Sequence, residues 1–364
     1  MQPGFFAVLF TLLMFSIPLE GIAMTKELEL DGKLIAQKKN KKKDRAEIST
    51  NISAIAIKGG LLAVAADEGA DVLLFKHKKG LVYEEVDHQC IKLDGNKGCG
   101  KRGRRGEIDI EGLAWGKKHL YAIGSHSLAR KTAKNSLKRL YSLKVEPSRE
   151  QLFRIPVDKN GKLKSGKKIK LISLRNILTN HPLLSRFRSI PSKENGIDIE
   201  GLAVKQVEIN GHKQERLFIG FRGPVLRGNL ALIMELDFNK GNFKQTEIPH
   251  KPKIHFLNFE GRGIRGMTTA GEDGFLILTG PVSDADYAPE DTRYRLYHWD
   301  GKHDEFSNYA AKPLCYIPTD NGAKAEDLAL LNPERKGTEP YELAIVFDGV
   351  ERGGGKVFSC PPME

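Results

Sequence analysis

The sequence predicts an all-β protein folded as a β-propeller, in which five blades can be recognised. The first observation is a repeated motif, which reads IEGLA at Ile110–Ala114 and again at Ile199–Ala203. The second is that short runs of β-branched and aromatic residues follow each copy and end at turn-forming residues. A unit that recurs in this way along one chain is typical of a four-stranded propeller blade.

Three weaker copies of the motif complete the repeat, and they begin at Ile52, Ile264 and Ala325. Successive copies start 58, 89, 65 and 61 residues apart, which suits blades with long loops. Six blades, one of them too degenerate to recognise, are an alternative. A pair of β-sandwiches is another, but it would not explain the repeat.

Further strand-like runs follow each motif, as a blade requires. Second strands are expected at Leu61–Ala66, Leu120–Gly124, Leu217–Phe221, Phe275–Thr279 and Leu343–Phe347. Third strands are expected at Val72–Phe75, Leu152–Ile155, Ala231–Leu236 and Tyr294–Trp299, and fourth strands near Lys170–Leu174 and Leu314–Ile317. The last copy lacks a fourth strand, and Glu27–Leu34 could supply it and close the ring without an open sheet edge.

The longest interval between copies contains two insertions. The first, Ser127–Lys144, is basic. The second, Leu174–Arg188, has apolar residues at helical spacing and is interrupted by Pro182. Both are expected to lie outside the regular strands of the second blade.

The N-terminus is expected to be a secretory signal peptide over residues 1–23. Phe5–Leu19 is apolar but short for a membrane span, and Gly21 and Ala23 have the spacing of a cleavage site. No Lys or Arg precedes the apolar run, so an uncleaved membrane anchor is the alternative. We expect a periplasmic or secreted protein, with a basic segment at 24–51 and a single propeller domain at 52–364.

Four cysteines allow two disulfides in an exported chain. Cys90 and Cys99 flank a short glycine-containing loop and are expected to pair, which leaves Cys315 for Cys360. One bridge only, or four unrelated thiols, are the alternatives. The absence of a CxxC pair argues against a zinc knuckle.

The chain is strongly basic, with 58 Lys and Arg against 46 Asp and Glu. Much of the charge lies in three runs, Lys38–Arg45, Lys101–Arg105 and Lys162–Lys170. Such runs attract polyanions, or they are simply solvated loops. The expected export argues against nucleic acid as a partner.

The motifs resemble those of a bacterial domain family of unknown function. The residues that carry the resemblance are Asp109–Ala114 and its second copy, Gly220–Pro224, Gly261–Met267 and Lys324–Ala329. The resemblance covers Ile52–Phe358. More distantly, the Glu-Gly-Leu-Ala strand is similar to the innermost strand of phytase-like and esterase-like propellers. That similarity implies a strand lining the central channel, where some of those proteins bind calcium.

The same repeat position carries most of the candidate site residues, because the first strands of all blades lie around the axis. That position holds Ser53, Glu111, Glu200, Arg265 and Glu326. The three glutamates are the candidate ligands of a hard cation such as calcium, which takes oxygen ligands. Otherwise the converging carboxylates need protons or arginine as compensation.

The candidate catalytic residues are Glu111, Glu200, Arg222, Arg265 and His126, with one glutamate as general acid or base. Substrate binding is assigned to Arg222 and Arg262, which lie in glycine-flanked turns, and to Arg265 at the repeat position. These residues lead to a hydrolase that acts on an anionic small molecule or ester in the channel. The alternative is a non-catalytic propeller that binds a polyanion or a protein, with the Glu and Arg residues as a structural network.

Overall fold

The computed structural model describes residues 26–32, 50–94, 107–131, 136–209, 211–238, 243–247, 252–283, 293–302, 311–319 and 322–362. The signal-peptide prediction and Cys99 lie outside these residues. Among the residues described, no helix is long and apolar enough to cross a membrane.

The described residues form five sheets of four or five strands and one two-stranded ribbon. Two short strands come first, β1 (Lys26–Glu27) and β2 (Glu29–Asp31). Blade 1 contains β3 (Ile52–Lys58), β4 (Leu61–Ala66), β5 (Asp71–Lys79) and β6 (Val82–Lys92). Blade 2 contains β7 (Ile110–Trp115), β8 (Leu120–Gly124), β11 (Leu152–Ile155) and β12 (Lys170–Ile172). Between β8 and β11, a two-stranded ribbon is formed by β9 (Ala129–Arg130) and β10 (Leu143–Lys144).

The remaining three blades follow the same order of strands. Blade 3 contains β13 (Asp198–Ile209), β14 (His212–Gly223), β15 (Leu230–Asp237) and β16 (Lys253–Asn258). Blade 4 contains β17 (Gly263–Thr269), β18 (Phe275–Gly280), β19 (Tyr294–Trp299) and β20 (Ala311–Ile317). Blade 5 contains β21 (Lys324–Leu330), β22 (Tyr341–Asp348) and β23 (Lys356–Cys360).

Helices are few and short in the described part of the chain. One α-helix, α1, spans Arg175–Asn180, inside the second predicted insertion and before Pro182. The other helical segments are 3₁₀ helices at Leu137–Tyr141, Pro147–Arg149, Leu184–Phe187, Ser192–Glu194, Gln245–Glu247, Gly271–Asp273 and Glu351–Gly354.

The five sheets form a closed ring, which confirms the five-bladed propeller. Each inner strand contacts the inner strands of both neighbouring blades, and β21 of blade 5 contacts β3 of blade 1. The buried apolar side chains form five clusters, each of which joins two consecutive blades. Burial of apolar surface between blades, rather than a single central core, therefore holds the ring together.

The N-terminal segment closes the ring, as the sequence predicted, but the fourth strand of blade 5 spans only Lys26–Glu27 instead of the predicted Glu27–Leu34, because β2 pairs with blade 1. β1 pairs antiparallel with β23 of blade 5, and β2 pairs parallel with β6 of blade 1. One short segment thus joins the last blade to the first. The backbone N–H of Ile55 in blade 1 also donates to Asp327 Oδ2 of blade 5, at 2.9 Å, which is a second link across the same seam.

A disulfide joins blades 4 and 5. It connects Cys315 on β20 to Cys360 on β23, whose Cα atoms lie 6.0 Å apart. This pairing confirms one of the two predicted bridges. The other predicted bridge, Cys90 with Cys99, involves a cysteine outside the described residues.

The inner strands approach each other so closely that the motif glycines have no room for a side chain. A Cβ on Gly266 would lie 2.8 Å from Cα of Asp327 in the next blade, and one on Gly201 would lie 2.8 Å from Cγ of Met267. The glycine of the repeated motif is therefore a packing requirement at the axis.

The ring closure predicts that Leu30, on β2, is a stability determinant. Leu30 is buried in the cluster between blades 5 and 1, so Leu30→Ala removes apolar contacts and should cost about 2–5 kcal/mol of unfolding free energy. Equilibrium denaturation of the full chain measures this. Glu29→Ala, at an exposed position of the same strand, is the matched control and should change stability little. Equal effects of the two substitutions would contradict the closure role.

Candidate active site

The ring encloses a cavity of about 360 Å³ around its axis, which we call the axial cavity. It opens at the face where inner strands begin and second strands end, because its lining includes residues from both places in several blades. The lining is polar and densely charged. Seven Asp and Glu residues line it, namely Asp67, Asp109, Glu111, Asp198, Glu200, Glu326 and Asp348.

A β-bulge places the repeated position of every inner strand at this cavity. The register of each inner strand with its neighbour skips one residue, and the skipped residues are Ser53, Glu111, Glu200, Arg265 and Glu326. A bulge turns its extra residue away from the regular alternation of side chains. All five residues line the axial cavity, so the structure brings together the residues that the repeat relates.

Arg265 compensates two of the three glutamates. Its Nη1 lies 2.9 Å from Glu200 Oε2, and its Nη2 donates to Glu326 Oε2. Its Nε also donates to the carbonyl oxygen of Ala325 at 3.2 Å. Arg265 is almost completely buried, and although burial by itself lowers its pKa, the carboxylates of Glu200 and Glu326 raise that pKa overall, so Arg265 stays charged. Its charge is therefore committed to the cluster.

Arg222 is committed in a similar way. Its Nη1 lies 2.8 Å from Glu200 Oε1, and its Nη2 donates to Asp198 Oδ2. Glu200 therefore contacts two guanidinium groups. Burial raises the pKa of Glu200, while the charges of Arg222 and Arg265 act in the opposite direction and favour its ionised form.

A third ion pair lies beside these two. Arg149 Nη1 lies 2.8 Å from Asp109 Oδ2, and its Nη2 lies 3.1 Å from Glu107 Oε2. Ser125 Oγ donates to the same oxygen of Asp109 and lies 2.8 Å from Ser127 Oγ. The hydroxyl and guanidinium groups together fix the Asp109 carboxylate at the cavity wall.

Glu111 differs from the other glutamates. Within the described residues its carboxylate has neither a hydrogen bond nor an ion pair, and it is partly exposed to the cavity. Burial raises the pKa of Glu111 well above its usual value, and the surrounding carboxylates of Asp109, Glu200 and Glu326 raise it further. Glu111 therefore holds a proton more readily than an ordinary glutamate and is available for proton transfer.

The three glutamates are close enough to share one cation. One carboxylate oxygen from each of Glu111, Glu200 and Glu326 lies within 4.8 Å of the others. Calcium binds oxygen at 2.3–2.6 Å, so oxygens on one ion can be separated by about 5 Å. The set fits a metal by distance, although Arg265 already pairs with Glu200 and Glu326.

Two predicted site residues do not reach the axial cavity. His126 is completely buried, its Nδ1–H donates to the carbonyl oxygen of Gly124 at 2.7 Å, and burial lowers its pKa to about 4. Arg262 Nη1 instead lies 2.7 Å from Glu260 Oε2. Neither residue belongs to the cavity lining.

The sequence analysis missed several cavity residues as site candidates, and for some of them a signal existed. Residues at or next to the end of the second strand also line the cavity in three blades. Asp67 directly follows β4, Arg222 lies one residue before the end of β14, and Asp348 is the last residue of β22. Aligning the second strands as well as the motif would have identified Asp67 and Asp348. Arg149 lies in the 3₁₀ turn Pro147–Arg149, which has no counterpart in the repeat, so no sequence signal marked it.

Comparison with known proteins identifies a family. The model of a family described as "protein of unknown function (DUF3616)" matches residues 51–354. No curated protein shows significant similarity to the chain.

Solved propellers are similar in fold only. The Dos1 propeller has a TM-score of 0.34 at 11% identity, over 86% of this chain and 58% of that one. An exo-β-1,3-galactanase from Phanerochaete chrysosporium with galactose has a TM-score of 0.40 at 8% identity, over 85% and 59%. The six-bladed Aleuria aurantia lectin has a TM-score of 0.34 at 12% identity, over 88% and 81%. The chain spans less than three fifths of the first two structures.

Because carboxylates are crowded in the axial cavity, we expect the stability of the protein to depend on pH. Asp67 is the residue that tests this. Burial raises the pKa of Asp67 to about 7, and the Asp109 carboxylate raises it further. The unfolded side chain ionises near pH 3.8, so the stability contributed by this group is complete below that pH and is lost as the pH rises to about 7. Asp67→Asn should therefore raise the melting temperature at pH 8 and much less at pH 4.5.

Thermal unfolding at the two pH values measures this difference. Asp31→Asn, at an exposed position on β2, is the control and should shift the melting temperature equally at both. A pH-independent effect of Asp67→Asn would show that its carboxyl is not destabilised by the cavity.

Proposed function

For this chain, which belongs to the DUF3616 family of unknown function, we propose a hydrolase whose active site is the axial cavity. The substrate is a small polar ester or phosphoester. The observation that carries the proposal is the position of Glu111, a carboxylate without a protein partner among the described residues, in a cavity of about 360 Å³ beside two carboxylates fixed by arginine. This volume suits a small molecule.

Glu111 acts as the general acid and base. Water adds to the acyl or phosphoryl centre, the bond to the leaving oxygen breaks, and the Glu111 proton passes to that oxygen. The attacking water releases a proton, which returns to Glu111. The raised pKa of Glu111 supports this role, because a carboxyl group that keeps its proton at higher pH than usual can donate it to a leaving oxygen.

The arginines act mainly on the protein's own carboxylates. Arg265 and Arg222 hold Glu200, Glu326 and Asp198 in place, so their charge is largely neutralised before any substrate enters. An anionic group of the substrate would share Arg222, the less buried of the two. The side chain of Lys324, half-exposed at the same cavity, offers a second cation, although it lies 3.5 Å from Asp348.

Calcium at the three glutamates is a second candidate, favoured by their mutual distance of at most 4.8 Å. A bound divalent ion would polarise a phosphate or carbonyl oxygen of the substrate. In this arrangement Glu111 would be a ligand, and Glu200 and Glu326 would share their oxygens between the ion and Arg265.

The place of action is outside the cytoplasm. The Cys315–Cys360 bridge supports export, since disulfides persist mainly in oxidising compartments. The signal peptide at 1–23 is part of the same proposal. A non-catalytic propeller that binds a polyanion or a protein partner is the alternative.

Substitution of Glu111 tests the proposal. The wild-type protein is assayed with 4-nitrophenyl acetate and with 4-nitrophenyl phosphate mono- and diesters. Glu111→Gln should lower kcat by about 100-fold or more on any probe that is hydrolysed, because it removes the proton donor but keeps the shape. Glu272→Gln, at an exposed turn away from the cavity, is the control and should leave kcat unchanged.

Thermal unfolding of the same proteins with calcium chloride or EDTA separates the candidates. If neither calcium nor EDTA changes the melting temperatures and Glu111→Gln loses activity, acid–base catalysis by Glu111 is supported. A calcium-dependent rise that disappears in Glu111→Gln assigns the three glutamates to a metal. Hydrolysis of none of the probes, or full activity of Glu111→Gln, contradicts the proposed enzyme and favours the non-catalytic alternative.

A further inference from the structure

A second cavity, of about 530 Å³, lies between blades 2 and 3 at the other face of the ring. Its lining includes the turn after β7 and the beginning of β14, so it opens where inner strands end. The axial cavity opens where they begin. The two cavities share no lining residue and are separate sites.

Basic side chains dominate the charge of this pocket. Its lining includes Lys117, Lys118, Arg154 and Lys213 but a single carboxylate, Glu215. That carboxylate accepts a hydrogen bond from the Tyr121 hydroxyl at 2.7 Å and another from the backbone N–H of Lys117. Glu215 is therefore fixed in the wall, and the four cations leave the pocket with an excess of positive charge.

The positive charges also lower the pKa of a histidine in the pocket wall. Burial lowers the pKa of His119, and Arg154, Lys164 and Lys118 lower it further, while Glu215 has the opposite effect. The imidazole is therefore neutral at physiological pH and adds no charge of its own. The field acts on any anion that enters the pocket.

The inner part of the pocket is aromatic. The Phe243 ring centroid lies 5.9 Å from that of Tyr121 and 5.1 Å from that of Phe238. The guanidinium carbon of Arg154 lies 5.0 Å from the Phe243 centroid, so it covers this ring and faces the same space. Aromatic walls beside a guanidinium group suit a flat ring that carries a negative charge.

We infer that this pocket binds a small aromatic anion, whose ring packs against the Arg154 guanidinium group that covers Phe243 and whose charge pairs with the surrounding lysines. The volume lies within the range of small-molecule sites, whereas a bare inorganic anion would leave most of it unfilled. The basic rim selects the charge of the ligand, and the aromatic wall selects its ring.

Calorimetry with three probes tests the inference on the full-length protein. The probes are naphthalene-2-sulfonate, methanesulfonate, which has the charge without the ring, and 2-naphthol, which has the ring without the charge. We expect naphthalene-2-sulfonate to bind with a stoichiometry of one, and at least about tenfold more tightly than either of the others, since losing the ring or the charge costs about 1.4 kcal/mol or more. Equal affinity for methanesulfonate would overturn the inference.

Substitutions locate the binding. Gln206→Trp places a large ring in the pocket mouth from an exposed strand position and should abolish naphthalene-2-sulfonate binding. Glu208→Trp, two residues further on the same strand and outside the lining, should keep or increase the affinity. Glu111→Gln, in the axial cavity, should have no effect, which separates this site from the proposed active site.

Lys213→Gln is a second variant that tests the site even if Gln206→Trp does not fold. Lys213 is exposed, so its replacement changes the charge with little effect on packing, and affinity should fall about three- to tenfold, as expected for the loss of one charged contact. Thermal unfolding verifies that each variant is folded. Wild-type affinity in both Gln206→Trp and Lys213→Gln would place the probe elsewhere and overturn the inference.

Discussion

The packing of acidic side chains around the axis of this propeller depends on one buried guanidinium group. Arg265, from blade 4, lies between Glu200 of blade 3 and Glu326 of blade 5, and all three are almost completely buried. Removing a carboxylate from water costs several kcal/mol, which only close ion pairs and hydrogen bonds offset. The single copy of the motif that carries arginine instead of glutamate therefore allows the neighbouring copies to keep their acids at the crowded axis.

The backbone makes this arrangement possible. Five bulges at equivalent positions turn one residue of every inner strand toward the same cavity, and the motif glycines let the strands approach closely enough for those residues to meet. Arg222 and Arg265 pair with three carboxylates, whereas Glu111 has no such partner among the described residues, and in the function that we propose it is the group that exchanges a proton. The three glutamates are chemically identical, so the difference between their proposed roles depends on the groups that each one contacts.

Much of the fold was predictable, because a repeat relates residues that are far apart in the chain. The blade number, the inner strands, the closing N-terminal strand and the Cys315–Cys360 bridge all followed from spacing and pairing. The directions of the side chains could not be predicted from the repeat. Glycines flank Arg262 as they flank Arg222, yet one pairs with Glu260 and the other enters the cavity. Arg149 and the pocket residue Phe243 lie outside the repeat, so their positions depend on tertiary packing alone.

The most direct test of this account is a double-mutant cycle between Arg265 and Glu326. The unfolding free energy is measured for Arg265→Met, for Glu326→Gln and for the double variant. If the guanidinium compensates the buried carboxylate, Arg265→Met should cost about 3–5 kcal/mol in the wild-type background. It should cost less when Glu326 is already neutral, with a coupling energy of about 1–3 kcal/mol. Additive effects of the two substitutions would contradict the central role of this ion pair.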